Sequence, residues 1–217
     1  MIELLVVVSI IAILAGLLLP VLNRTTKKSQ ITQSQNNLRQ IGSALMLYAG
    51  DNSGSFPTAG AVIPYGSIDA QTGLPGWQEQ IDSYVQGDRK IFRSVRAEEI
   101  NPASKLYSYF ISSHAAGIDA QLNGGAFAPV QIARIQNPSR FLLAGEIASP
   151  NLFSETDADK DDYNTNNPAF HNKPTGHRAL LLFADGHTES LLEFDPSTIA
   201  VQYDGPKPEH GPTYTGG

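Results

Sequence analysis

The first 22 residues constrain this chain more than any other stretch. From Leu4 to Leu22 there is no charged side chain. A helix of that stretch would span roughly 30 Å, about the thickness of a bilayer's hydrocarbon layer. Such a segment belongs in a membrane or in an equally apolar setting. A secretory signal peptide would carry a basic residue ahead of the apolar run and a small-residue cleavage site behind it. Here the only charge ahead of the run is Glu3, and Arg24, Lys27 and Lys28 follow it. A plain anchor leaves Glu3 unexplained, because an ionised carboxylate at an apolar end is costly unless a cation meets it. Glu3 therefore either complements the positive end of the helix dipole or awaits a partner.

The helix should continue past the apolar run. Ile31, Leu38, Ile41, Leu45 and Tyr48 recur at helical spacing on a segment otherwise covered with Asn, Gln, Ser, Thr and basic residues, which draws a narrow apolar stripe. One helix from about residue 2 to residue 49 would be roughly 70 Å long. Gly16 and Pro20 interrupt it, Pro20 by removing a backbone donor and crowding the preceding turn. The pair reads either as a simple kink in a membrane helix or as a point of unwinding. Turn formers from Asp51 to Pro57 end the helix near Gly50.

The remainder is an ordinary polar globular region. The chain has 217 residues, enough for one stalk and one domain with a core, and no cysteine, so thiol redox chemistry is excluded and packing must hold the domain. A net charge of −6 argues against a nucleic-acid surface. From Asp51 to Gly76 the chain reads as an irregular connection. Trp77 to Val85 has apolar residues spaced for a short second helix that packs Trp77 and Ile81 inward. Strand candidates are 105–113, 140–147, 179–183 and 189–194, rich in aromatic and branched residues. Asp185-Gly186 between the last two predicts a two-residue type I′ hairpin, whose central positions both need positive φ. The fold class expected is α+β: a helix over 1–50, apolar to about 22 and amphipathic after, a head with antiparallel sheet over 51–195, and a Pro- and Gly-rich tail over 196–217. That tail should be extended and ordered only when a neighbouring subunit binds it.

Ile2-Glu3-Leu4-Leu5-Val6-Val7-Val8-Ser9-Ile10-Ile11-Ala12-Ile13-Leu14-Ala15 closely resembles the amino-terminal segment of type IV pilins and type II secretion pseudopilins. Matched to that family, the chain begins at the third residue of the mature protein, without the leader. The resemblance implies a pilin stalk, a role for Glu3 in setting axial register against the amino terminus of an adjacent subunit, and a helix breaker at Gly16 and Pro20 that unwinds on filament packing. It also implies prepilin peptidase and pilus or secretion machinery as partners. Gln136 to Glu146, a His-bearing loop, and Leu182-Phe183-Ala184-Asp185-Gly186-His187 resemble a pilin-like subgroup of diderm bacteria with a His at fixed spacing before an Asp-Gly pair. Here the spacing departs, with 13 residues between His171 and Asp185 and 7 between His177 and Asp185. Where that subgroup often has a Cys-Pro pair after the second helix, this chain reads Phe92-Arg93-Ser94-Val95.

Chemistry-bearing residues are few. His171, His177, Asp185 and His187 could supply transition-metal ligands, but their spacing does not enforce the convergence such a site needs. With His187 just after the turn, a solvent-facing or turn-stabilising role is the plainer reading. Asp157, Asp159, Asp161 and Asp162 place alternating oxygens that suit a hard cation such as calcium, without the Gly and terminal Glu of an EF-hand. An acidic run of this kind also reads as a solvated loop. No nucleophile elbow, phosphate loop or HExxH pattern occurs, so no enzyme is expected. The expectation is a structural subunit, held in the inner membrane before assembly and then packed as a homo-oligomer in an extracellular pilus or periplasmic pseudopilus. Two other classes stand beside it: a membrane-anchored module that binds a polysaccharide or secreted substrate through loops 114–130 and 151–176, and an anchored hydrolase using the His and Asp residues.

Overall fold

In a computed structural model, a single helix, α1, runs from Ile2 to Asp51. The structure describes residues 2–59, 63–64, 66–70, 72–94, 108–113, 115–116, 129–147, 179–191, 198–200 and 203. The side chains of residues 2, 20, 21, 23, 24, 27 and 179 fall outside that description. Helix α1 is continuous across Gly16 and Pro20. Its second half enters the head: Leu38, Ile41 and Leu45 are fully buried, and Ile31 and Tyr48 pack at the margin of the same cluster. The apolar stripe read from sequence is thus the face that docks.

The chain is α+β, with α1 followed by a four-stranded antiparallel sheet in sequential order: β1 (Tyr109–Ile111), β2 (Leu142–Glu146), β3 (Ala179–Phe183) and β4 (Thr188–Leu191). The sheet is apolar on both faces. Tyr109, Ile111, Leu143, Ala144, Leu180 and Leu182 join the α1 residues in one cluster, while Phe110, Leu142, Leu181 and Phe183 form a second with Ile147 and Ile199. Strand β3 spans the range expected, whereas β1, β2 and β4 are shorter than expected; residues 105–107 and 192–194 lie outside the described residues. Helix and sheet approach closely at Gly42, where a Cβ would sit 3.0 Å from both methyls of Leu182.

Three local features differ from expectation. The second helix is only a turn, α2 (Trp77–Gln80), continued by a 3₁₀ turn over Asp82–Val85. Trp77 and Ile81 are nonetheless fully buried, and Trp77 meets Phe92 edge to face at 5.8 Å. The β3–β4 hairpin is not type I′. Of its turn residues only Gly186 has positive φ, at +89°. Gly186 N–H donates to the Phe183 carbonyl at 2.9 Å and Phe183 N–H to the His187 carbonyl at 3.0 Å. That is a three-residue loop ending in a left-handed glycine, the next commonest hairpin.

The tail is the third difference, because its first residues dock on their own head rather than await a neighbour. Ala200 pairs with Phe141 in a parallel bridge, and Leu142 N–H donates to the Ala200 carbonyl at 2.8 Å. Tyr203 stacks on Phe141, and the Arg134 guanidinium lies 4.0 Å from the centre of its ring. The Tyr203 hydroxyl accepts from Gln131 N–H at 2.9 Å. Residues 204–217 lie outside the described residues.

Candidate assembly surface and the buried polar cluster

The first half of α1 is a bare apolar surface. Every large apolar side chain described from Leu4 to Leu22 is exposed, from 49% at Val6 to 72% at Leu5. Monomeric soluble proteins rarely leave so large a contiguous apolar face uncovered. Gly16 is open on all sides, since a Cβ there would meet nothing within 4 Å. Glu3 stands exposed at one end of this face and Lys28 at the other. Among the described residues no helix is long and apolar enough to cross a membrane.

Beneath the helix lies a polar cluster that the sequence reading did not single out. The register of β2 slips against β3: Leu142 lies opposite Phe183, but Ala144 lies opposite Leu182. Leu143 is the extra residue, and a bulge of this kind re-aims the side chains that follow it. In strict alternation Glu146 would share the face of Leu142. Instead it pairs with Tyr109 on the helix side of the sheet and is only 2% exposed. Ser94 Oγ donates a hydrogen bond to Glu146 Oε1. Ser94 Oγ also lies 3.0 Å from Ser34 Oγ on α1. With its one hydroxyl hydrogen given to Glu146, Ser94 accepts from Ser34. Tyr109 OH donates to the Ser34 carbonyl at 3.3 Å, and Asn37 Nδ2 donates to the Arg93 carbonyl at 3.2 Å. Helix α1, the segment Arg93–Ser94 and the sheet thus share one buried network.

Burial pushes the Tyr109 phenol well above its ordinary range, and the nearby Glu146 carboxyl pushes the same way, while hydrogen bonds within the cluster oppose them. The folded state therefore holds Tyr109 neutral where the unfolded chain would ionise it. Its contribution to stability is complete below the ordinary tyrosine pKa, near 10, and is lost as pH rises beyond it. Tyr109→Phe should flatten the alkaline arm of a stability–pH curve; an unchanged alkaline arm would refute this.

The hairpin tip brings together two of the four residues considered for a metal. His187 Nδ1 lies 2.5 Å from Asp185 Oδ1, and His187 N–H donates to the same oxygen at 3.0 Å. The imidazole stacks flat on Phe183, ring centres 4.4 Å apart. Partial burial works against the charge on Asp185, but the bonds from His187 outweigh it and hold this carboxyl below its ordinary range. The pair closes the turn. Among the described residues no three His, Asp or Glu side chains group to hold a metal ion. His171, His177, Asp157, Asp159, Asp161 and Asp162 lie outside the described residues, as do loop 151–176 and most of loop 114–130. No family model, curated protein or solved structure matches this chain.

Proposed function

We propose that this chain is a structural subunit, a pilin or pseudopilin, that polymerises through the first half of α1 into a helical filament with the head outside. The observation that carries the proposal is the uncovered apolar face from Leu4 to Leu22, on a helix whose second half is an integral part of the head. Rigid attachment matters, because a polymer transmits its geometry only if the contact surface cannot swivel against the domain it carries. Burying that face against equivalent helices supplies cohesion at roughly 25 cal/mol per Å². A contact between different patches on successive copies does not close, so it propagates. Before assembly the same face rests in the inner membrane. Glu3 sets the register by meeting a cation on a neighbouring subunit, since a carboxylate brought into an apolar filament core needs one.

Electron micrographs of the purified full chain test the proposal. Filaments are expected from the wild type, and Glu3→Ala should cut their yield at least tenfold while leaving the head's thermal melt unchanged. Equal filament yield from Glu3→Ala overturns the role of Glu3. Particles that stay monomeric after detergent removal overturn the filament and favour a membrane-anchored module.

A further inference from the structure

The segment that follows β4 seats on the head through contacts that any copy of the same segment could make. Ala200 N–H donates to the Arg140 carbonyl and the Ala200 carbonyl accepts from Leu142 N–H, both at 2.8 Å. Ile199 is 5% exposed and fills the second apolar cluster, on the face of the sheet away from α1. Tyr203 is held by ring contacts with Phe141 and Arg134, by its hydroxyl on Gln131 N–H, and by its carbonyl, which accepts from Gln136 N–H at 3.3 Å.

The connection back to that seat is short. Strands β2 and β4 run in the same direction, since each is antiparallel to β3, and Ala200 runs parallel to β2. The chain therefore leaves β4 at Leu191 and has to return to the other end of the sheet before it pairs, a parallel crossover that ordinarily takes a dozen or more residues. Here eight residues, 192–199, separate Leu191 from Ala200. Ala200 lies on the edge of β2 away from β3, because the Phe141 carbonyl accepts from Ala184 while its two chain neighbours bond Ala200. Leu191 is opposite Ala179, whereas Phe141 is level with Ala184, five residues further along. Those five residues along the strands and three strand spacings across them make a diagonal of about 22 Å. Nine Cα steps reach about 30 Å at full extension, and the direction must reverse at both ends. Short connections of this kind favour exchange of the connected element between copies.

We infer that in the assembled state the segment carrying Ile199, Ala200 and Tyr203 is supplied by a second copy of this chain, which seats it on β2 where the isolated copy seats its own. The inference rests on the filament reading, which brings heads side by side, and it adds a strand link between heads to the contact along α1. Each copy gives one segment and receives one, so among copies displaced in one direction the exchange passes from head to head without closing.

Engineered thiols test the exchange, because the chain has no native cysteine. Phe141→Cys with Ala200→Cys in one full-length chain places thiols at paired positions. Oxidation of assembled material should give a ladder of disulfide-linked multimers on a denaturing gel, whereas chains kept apart in detergent should give an internally linked monomer. Lengthening the connection by about six Gly and Ser residues after Asp195 should raise the share of internally linked monomer in assembled material at least threefold. Assembled material that yields only internally linked monomer, or no disulfide, overturns the exchange and leaves the filament standing. A ladder that the longer connection does not reduce overturns the inference from connection length. Absence of any assembly overturns both the exchange and the filament.

A second measurement spares Phe141, whose ring is buried. Full-length chains carrying Tyr203→p-benzoylphenylalanine are assembled with isotope-labelled chains that lack the probe, then irradiated. Crosslinks from the probe to labelled peptides containing Arg134 or Phe141 are expected. Crosslinks confined to the probe's own unlabelled chain overturn the exchange.

Discussion

Ser94→Ala lowers the unfolding midpoint by roughly 6–12 °C, the expected consequence of about 3 kcal/mol lost from a domain of this size. The reasoning starts from Glu146, a carboxyl group 2% exposed in the interface between sheet and helix. Ser94 donates to it and in turn accepts from Ser34. Removing the hydroxyl strips a buried carboxyl of a donor and leaves the Ser34 hydroxyl without its acceptor. Two desolvated groups are then worse placed, and water has little access to either. Ser34→Ala is the internal comparison. It removes only the outer, neutral hydrogen bond and should cost about 1 kcal/mol. Melts followed by circular dichroism should rank Ser94→Ala well below Ser34→Ala; the reverse order would refute the chain of bonds described above.

Gly145→Val is expected to cost about 3 kcal/mol, again a drop of roughly 6–12 °C. Gly145 lies between Phe110 on one neighbouring strand and Leu181 on the other, opposite both in register. A Cβ placed there would sit 2.7 Å from two ring carbons of Phe110 and 2.8 Å from a methyl of Leu181. Both neighbours are buried, so neither can swing into solvent to relieve the contact. The absence of a side chain at Gly145 is what lets the ring and the methyl lie over the backbone of β2. Gly16→Ala is the matching control, because a Cβ there meets nothing and a helix interior gains about 1 kcal/mol from alanine. Phe110→Leu in the Gly145→Val background should recover part of the loss; strictly additive effects would show that the two sites do not touch.

Much of this architecture was legible in the sequence where a pattern is enforced residue by residue. The α1 stripe follows from a 3.6-residue period that only a helix satisfies, and Leu38, Ile41 and Leu45 are where that period buries them. Ser34 and Asn37 lie on the docking side of α1 and are buried too, but the stripe was counted in apolar residues and passed over them. Their presence on a buried face was the available signal that a polar partner waits opposite. The lone carboxylate of Glu146 in the run Phe141 to Ile147 was the other half of that signal. What concealed it was the bulge at Leu143, which depends on how β2 and β3 pair and has no local signature. The hairpin was foreseeable from Asp-Gly, but its loop length was not, because the bonds from His187 to Asp185 favour the three-residue turn.

By itself the sequence determined the apolar run, its single acid and the basic residues beyond it, because helical periodicity and the cost of charge in an apolar setting act on each residue in turn. It also set the docking stripe and the strand-rich second half for the same local reason. Only the tertiary structure decided which way Glu146 faces, that Gly145 sits under Phe110 and Leu181, and that the tail turns back onto Phe141 through Ala200 and Tyr203. Each of these depends on contacts between residues far apart in the chain, whose energy exists only once the strands have paired.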